Sequence, residues 1–189
     1  MKNDNYTQIF LETVKDEVDF YEVQKILKEY TQGNIWLIGG FVYRSIVKGL
    51  YGTSRPDIDL DFIIEKPEKD IIFPENWKEI KNNYGNTKFI RNDGLIVDFI
   101  PLDNVNSIIR RNLNSTVENF LTGTPMTIQS IAYDISRNIV IGPIGLKAIK
   151  DKTVAINNIE EAEIYARKKK KSIKEIMQQK AKELGFRVL

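Results

Sequence analysis

The sequence predicts an α/β or α+β domain in which helices flank a mixed β-sheet, with a basic helix at the C-terminus. Helical and strand-like segments are interspersed, and some strand-like segments are joined by short turns while others stand alone, which favours a mixed sheet over a doubly wound parallel one. The 189 residues are enough for one domain with its own core. We assign residues 1–157 to that domain and residues 158–189 to the basic C-terminal helix.

The first three elements follow from apolar spacing. Residues 17–32 carry apolar side chains at nearly helical intervals and are followed by Gly33-Asn34, which predicts a helix and its end. Residues 35–38 form a short apolar run before Gly39-Gly40, which predicts a strand, and residues 41–50 return to helical spacing. The glycines therefore stand between a strand and a helix.

The next strand carries acidic residues. Residues 57–64 alternate acidic and apolar side chains before ending in an apolar run, which predicts a strand with carboxylates on one face.

The later elements are predicted from turn residues and helix-forming composition. They are a short helix at 75–84, a hairpin of strands 87–91 and 95–102, helical pieces at 105–111 and 116–121, strands at 126–133 and 138–141, a short segment at 146–150, and a helix from 159 to 184.

The composition excludes several classes of chemistry. The chain contains no cysteine and no histidine, so disulfides, zinc fingers, thiol nucleophiles and histidine general bases are excluded. Catalysis must come from carboxylates, lysines, hydroxyl groups, backbone groups or a metal ion that prefers oxygen ligands.

The charge is unevenly distributed. The net charge is +2, yet residues 164–189 carry +7 and residues 1–163 carry −5. No stretch approaches the about 18 apolar residues of a membrane span, and the polar N-terminus lacks the apolar core of a signal peptide, so we expect a cytoplasmic protein with no membrane partner.

Three acidic residues on one strand are the strongest candidates for chemistry. Side chains on a strand repeat every two residues, so Asp57, Asp59 and Asp61 project to the same side and repel one another unless they are solvated or bind cations. Without histidine or thiolate ligands, the metal would be Mg²⁺ or Mn²⁺. Asp98 lies in an apolar run, where a carboxylate needs a partner, and it could complete a two-metal site with Asp57 and Asp59.

The glycine pair suggests a phosphate site. Gly39 and Gly40 precede a predicted helix, whose N-terminal N–H groups attract anions. An acidic alternation on an edge strand also occurs as a solubility device. The order of the glycines, the acidic strand and the later Asp98 together favours a functional site.

These motifs resemble the polymerase-beta-type nucleotidyltransferase superfamily, and most nearly the head domain of class II CCA-adding enzymes and bacterial poly(A) polymerases. The matching text is Leu37-Ile-Gly-Gly-Phe-Val-Tyr-Arg44, Asp57-Ile-Asp-Leu60 and Val97-Asp98. Met126-Thr-Ile-Gln-Ser-Ile-Ala-Tyr-Asp134 and Gly142-Pro-Ile-Gly-Leu-Lys-Ala-Ile-Lys150 resemble later segments of that family. The resemblance covers residues 30–157.

The resemblance implies a nucleotidyltransferase fold and roles for the candidate residues. Asp57 and Asp59 would bind both metal ions and Asp98 the one that activates the attacking hydroxyl. Gly39 and Gly40 would contact the nucleotide phosphates, and Arg44 is a further candidate for substrate binding. Asp59-x-Asp61 also fits the acidic motif, but the flanking apolar residues favour Asp57 and Asp59, leaving Asp61 as a neighbouring acid.

The chain departs from the family at two sets of charged residues. Where the family has Arg-Asp after Gly-Gly-x-Val, this chain has Tyr43-Arg44, and where the family has Arg-Arg-Asp, this chain has Gly123-Thr124-Pro125. The choice between ATP and CTP therefore stays open. Only about 30 residues follow the resembling segment, where the family has further domains for base selection and tRNA binding, so we do not expect an ordinary CCA-adding enzyme.

We expect a nucleotidyltransferase that transfers a nucleoside monophosphate from an NTP to a hydroxyl acceptor and releases pyrophosphate. The acceptor could be a tRNA or other RNA end bound by the basic tail, although a lysine run in a helix also occurs as a solvated surface. The alternatives are a nucleotidyltransferase of a toxin–antitoxin system and a catalytically silent adaptor that binds nucleotide or RNA.

Overall fold

The computed structural model describes residues 3–53, 59–67, 71–81 and 87–189. None of the helices in these ranges is both long enough and apolar enough to cross a membrane. The α-helices are α1 (Asn3–Val14), α2 (Val18–Glu29), α3 (Gly40–Tyr51), α4 (Asn106–Arg110), α5 (Val117–Thr122), α6 (Pro143–Asp151), α7 (Ile159–Lys169) and α8 (Ile173–Leu184). The strands are β1 (Ile35–Ile38), β2 (Asp59–Ile64), β3 (Trp77–Lys81), β4 (Thr87–Arg91), β5 (Ile96–Pro101), β6 (Ala132–Asp134), β7 (Ile139–Ile141), β8 (Thr153–Val154) and β9 (Arg187–Val188).

Seven strands form a mixed sheet in the order β3-β4-β5-β2-β1-β6-β7. Strands β2 and β5 pair in parallel, and their neighbours in the sheet pair in an antiparallel sense. A separate pair is formed by β8 and β9, which are parallel. The predicted mixed sheet flanked by helices is confirmed.

The two faces of the sheet bury different cores, because successive side chains on a strand point to opposite faces. Leu37, Phe62 and Val97 point into the larger core, which is shared with α1, α2, α3, α6, α7 and α8. Trp36 and Ile63 point the other way into a smaller core, which α4 and α5 complete.

The smaller core leaves part of its sheet face uncovered. On β2, Asp59, Asp61 and Ile63 share that face, and Ile63 is fully buried whereas both acids are partly exposed. On β5, Asp98 and Ile100 share the same face, and Ile100 packs against the smaller core. The acidic residues therefore lie just beyond the edge of the apolar cover.

The helix predicted at 75–84 is wrong, because residues 77–81 form strand β3. This strand pairs with β4 in an antiparallel sense, with Trp77 opposite Arg91. Trp77 is buried, and its ring lies 4.8 Å from that of Phe73 between ring centroids. Tertiary packing of Trp77 therefore outweighs the local preference for a helix.

Two other elements differ from the sequence prediction, and a third is described only in part. Helix α1 was not predicted. The strand predicted at 126–133 is replaced by a 3₁₀ turn, Thr127–Gln129, and the short strand β6. The turn is held by Thr127, whose N–H donates to the carbonyl of Ala155 at 2.9 Å.

The strand predicted from residue 57 is described from Asp59 onward, since residues 57 and 58 lie outside the described ranges.

The predicted C-terminal helix is two helices. Helix α7 ends at Lys169, and the next residue, Lys170, adopts a positive φ of 52°. Helix α8 begins after a capping box in which Ser172 and Glu175 bond each other's backbone N–H groups. Both helices bury apolar side chains in the larger core, among them Ala162, Ile176 and Leu184. The basic segment is thus packed onto the rest of the protein.

Candidate active site

Two carboxylates stand side by side at the centre of the sheet. In the parallel pairing of β2 and β5, Asp61 is directly opposite Asp98, so both side chains lie on the same face of two strands whose usual spacing is about 4.8 Å. Asp59 lies two residues earlier on that face. Neighbouring carboxylates repel each other, and a cation beside them would reduce that repulsion.

Gly39 allows the end of β1 to contact this acidic pair. Its φ of 76° and ψ of −150° place it in a region that favours glycine. A Cβ atom there would lie 2.8 Å from Oδ2 of Asp61. Gly40 follows as the first residue of α3, so the N–H groups of that helix's first turn begin beside the carboxylate.

A cleft with a volume of about 360 Å³ opens over the two acids. Gly39, Asp61 and Asp98 line it from the sheet. Its opposite walls come from α4, α5, α7 and the 3₁₀ turn Thr127–Gln129, and they combine apolar groups with a few amide and charged groups. Those wall residues include Asn106, Arg110, Phe120, Gln129, Tyr165 and Lys168.

An ion pair joins α4 and α7 at the wall of the cleft. The Arg110 guanidinium donates to the Glu161 carboxylate through Nη2 at 2.6 and 2.8 Å and through Nε at 3.2 Å. The Glu161 side chain is only 9% exposed. Because a half-buried, bidentate pair fixes both side chains, it holds α7 against the cleft.

The predicted site residues are distributed as follows. Gly39 and Asp98 line the cleft together with Asp61, which the sequence interpretation had placed as a neighbouring acid. Asp59 is on the same sheet face, and Asp57 lies outside the described residues. Arg44 faces a different cavity, where its Nη2 lies 2.6 Å from Oε1 of Glu183.

The donor set suits a hard metal ion. Asp59, Asp61 and Asp98 offer only carboxylate oxygens, which Mg²⁺ and Mn²⁺ prefer. Within the described ranges, no three acidic side chains already stand close enough to hold a metal ion.

Sequence analysis missed several residues of the cleft. Arg110, Phe120 and Glu161 come from elements whose position over the sheet depends on tertiary packing, and their local sequence carries no motif. Lys168 belongs to the basic run that was noticed, but nothing in that run indicated which lysine lines the cleft.

Comparisons with known proteins show the fold. No family model matches the sequence, and no curated protein matches it. Among solved structures, the Bacillus stearothermophilus CCA-adding enzyme in complex with CTP aligns over 95% of this chain and 39% of its own, with a TM-score of 0.53 and 19% identity.

Two further solved structures share the same fold. A tRNA-processing enzyme in an apo form aligns over 94% of this chain and 44% of its own, with a TM-score of 0.58 and 17% identity. A CCA-adding enzyme with ATP aligns over 80% of this chain and 36% of its own, with a TM-score of 0.57 and 16% identity. The chain therefore has a nucleotidyltransferase-like fold and spans between 36% and 44% of the length of these chains.

Proposed function

We propose that the protein is a metal-dependent nucleotidyltransferase that transfers a nucleoside monophosphate from an NTP to a hydroxyl acceptor. The observation that carries this proposal is the register that sets Asp61 beside Asp98, next to the Gly39 turn and at the floor of the cleft. The likeness to structures determined with CTP and with ATP supports an NTP as the substrate.

Asp61 and Asp98, with Asp59 on the same face, would hold Mg²⁺ or Mn²⁺. When bound, the metal ions neutralise charge on the phosphates and lower the pKa of the attacking hydroxyl. This assignment uses the Asp59-x-Asp61 alternative, and the role of Asp57 stays a prediction.

The other groups of the cleft bind and orient the nucleotide. Gly39 lines the cleft and Gly40 begins α3 next to it, so the N-terminus of that helix would contact the phosphate chain, while Phe120 and Tyr165 offer apolar surface to the base and ribose. The acceptor oxygen forms a bond to the α-phosphorus, the bond between that phosphorus and the β-phosphate oxygen breaks, and pyrophosphate leaves. The hydroxyl proton passes to solvent.

The acceptor would be an RNA end, tRNA included, or another hydroxyl-bearing molecule as in toxin–antitoxin nucleotidyltransferases. The likeness to tRNA-processing enzymes supports the RNA end. The cytoplasmic location remains a prediction from sequence.

Transfer of label from each α-³²P NTP to a mixture of RNA acceptors, with Mg²⁺ or Mn²⁺, tests the activity. We expect Asp98→Asn to reduce transfer by more than about a hundredfold, since it removes a metal ligand. Asp103→Asn is the matched control, because Asp103 is exposed on a nearby turn outside the cleft. Wild-type protein that binds NTP but releases no pyrophosphate with any acceptor would instead indicate the adaptor.

A further inference from the structure

A second cavity, of about 240 Å³, lies between α3, α7 and α8. Four of its lining residues are basic and one is acidic. They are Arg44, Lys169, Lys171, Lys180 and Glu183. We call this set of five residues and the space they enclose the basic cavity.

The basic side chains are held mainly by neutral groups. Lys180 donates from Nζ to the Tyr43 hydroxyl at 3.2 Å and lies 5.6 Å from the centroid of that ring. Lys171 donates from Nζ to Oε1 of Gln179 at 2.7 Å. Lys169 lies over the Tyr165 ring at 5.7 Å.

The charge of the basic cavity is therefore unbalanced. Among the described residues, Arg44 alone of the four basic groups forms an ion pair with a carboxylate, that of Glu183. Like charges gathered in a partly enclosed space repel one another, and an anion in that space would relieve the repulsion.

The turn between α7 and α8 separates neighbouring lysines. Lys168 lines the cleft that contains Asp61 and Asp98, and Lys169 lines the basic cavity. Lys170 lines an open groove on the outside, and Lys171 lines both that groove and the basic cavity. The positive φ of Lys170 reverses the chain there, which brings Lys171 back toward Lys169. If the lysine run were only a solvated surface, the return of Lys171 toward Lys169 would not be needed.

We propose that the basic cavity binds phosphate groups without a metal ion. The Arg44 guanidinium and the lysine ammonium groups are the donors that phosphate oxygens accept most strongly. Tyr165 lines both this cavity and the acidic cleft, and Arg44 lies one helical turn after Gly40. A phosphate bound here would belong to a ligand that also reaches the carboxylates.

The phosphate could come from the terminal phosphates of the nucleotide or from a phosphodiester of the acceptor. Only this choice of source rests on the proposed function. Binding of an anion to the basic cavity does not require metal or catalysis.

Calorimetric titration of the full chain with sodium pyrophosphate in EDTA tests the proposal. We expect the double variant Lys169→Gln/Lys180→Gln to bind at least about a hundredfold more weakly than the wild type, as two charge-assisted contacts are lost. Lys174→Gln/Lys182→Gln is the matched control, since it removes two exposed lysines of α8 outside the cavity. Absence of pyrophosphate binding to the wild type, or equal weakening in both double variants, would overturn the proposal.

Two further measurements complete the test. Asp61→Asn should bind pyrophosphate in EDTA at least as tightly as the wild type, because it removes a negative charge near the cavity, and this separates failure of the basic cavity from failure of the catalytic proposal. Loss of binding in that variant would contradict a metal-independent site. Displacement of pyrophosphate by an NTP but not by the corresponding NMP would identify the nucleotide as the source, and displacement by a trinucleotide RNA would identify the acceptor.

Discussion

Asp61 and Asp98 are neighbours because of the pairing register of β2 and β5, two strands separated in the sequence by the β3–β4 hairpin. Sequence analysis identified both residues and both possible acidic motifs, but it favoured Asp57 and Asp59 from their flanking residues. The register depends on long-range pairing, which local sequence does not encode. A shift of one residue would turn one of the two acids to the other face.

Single Asp-to-Asn variants decide between the two motifs. If Asp59 and Asp61 bind metal, Asp61→Asn should lower label transfer by more than about a hundredfold while Asp57→Asn keeps most of the activity. Asp59→Asn should be inactive in either case, because Asp59 belongs to both motifs. The measurement is label transfer at saturating Mg²⁺, with circular dichroism to confirm folding. A larger loss in Asp57→Asn than in Asp61→Asn would restore the first interpretation.

One further acid has a structural role. Asp134 is fully buried, and its carboxylate accepts bonds from Trp36 Nε1 at 2.9 Å and from the Arg137 backbone N–H and Nε, each at 2.8 Å. A buried carboxylate that is saturated in this way stabilises the β6–β7 turn. Asp134, the last residue of the family-like segment 126–134, therefore has a structural role in the sheet beside the cleft.

Local sequence patterns correctly predicted the helices and strands whose apolar residues, spaced as the pattern requires, are also buried in the structure. The strand–glycine–helix unit of β1 and α3 is such a case, since Leu37, Val42 and Ile46 are all buried as their spacing indicates. Strand β3 was missed because only its pairing with β4 distinguishes it from a short helix. The break at Lys170 was missed because every residue from 167 to 171 is a good helix former.

The turn after β4 is fixed to α2 by charge, which predicts a response to acid. Arg91 bonds Asp93 at 2.7 and 2.9 Å and pairs with Asp19 on α2 at 2.7 Å. The side-chain bonds from Arg91 and the backbone N–H of Leu95 lower the pKa of Asp93 to about 2. The folded pKa is below the ordinary value, so this stabilisation is complete above about pH 4 and is lost as the pH falls toward 2.

We therefore expect Asp93→Asn to lose less stability than the wild type between pH 4 and pH 2. Denaturation midpoints measured at several pH values in this range provide the test, with Asp103→Asn as the control for removal of an exposed carboxylate. Parallel pH profiles for the wild type and Asp93→Asn would contradict a native role for this contact.

In the whole molecule, the acidic and basic segments that are far apart in the sequence lie next to each other. The acidic residues of β2 and β5 and the basic residues of α7 and α8 meet on two sides of Tyr165, which lines both the cleft and the basic cavity. Sequence analysis placed the basic segment as an appended helix, because its composition indicates helix formation but not what the helix packs against. In the structure the apolar residues of α7 and α8 complete the larger core, so the basic segment is positioned at the site by packing.

This packing predicts that the C-terminal segment contributes to the stability of the whole chain. Leu184, near the end of α8, is 1% exposed and belongs to the larger core, whereas Leu189 is 70% exposed. We expect Leu184→Ala to lower the free energy of unfolding by about 2–5 kcal/mol, because it leaves a cavity, and Leu189→Ala to change it by less than about 0.5 kcal/mol. Chemical denaturation followed by tryptophan fluorescence, which reports on Trp36 and Trp77 in the sheet, measures both. Equal effects of the two substitutions would show that residues 158–189 form a separable unit, as the sequence division at residue 157 assumed.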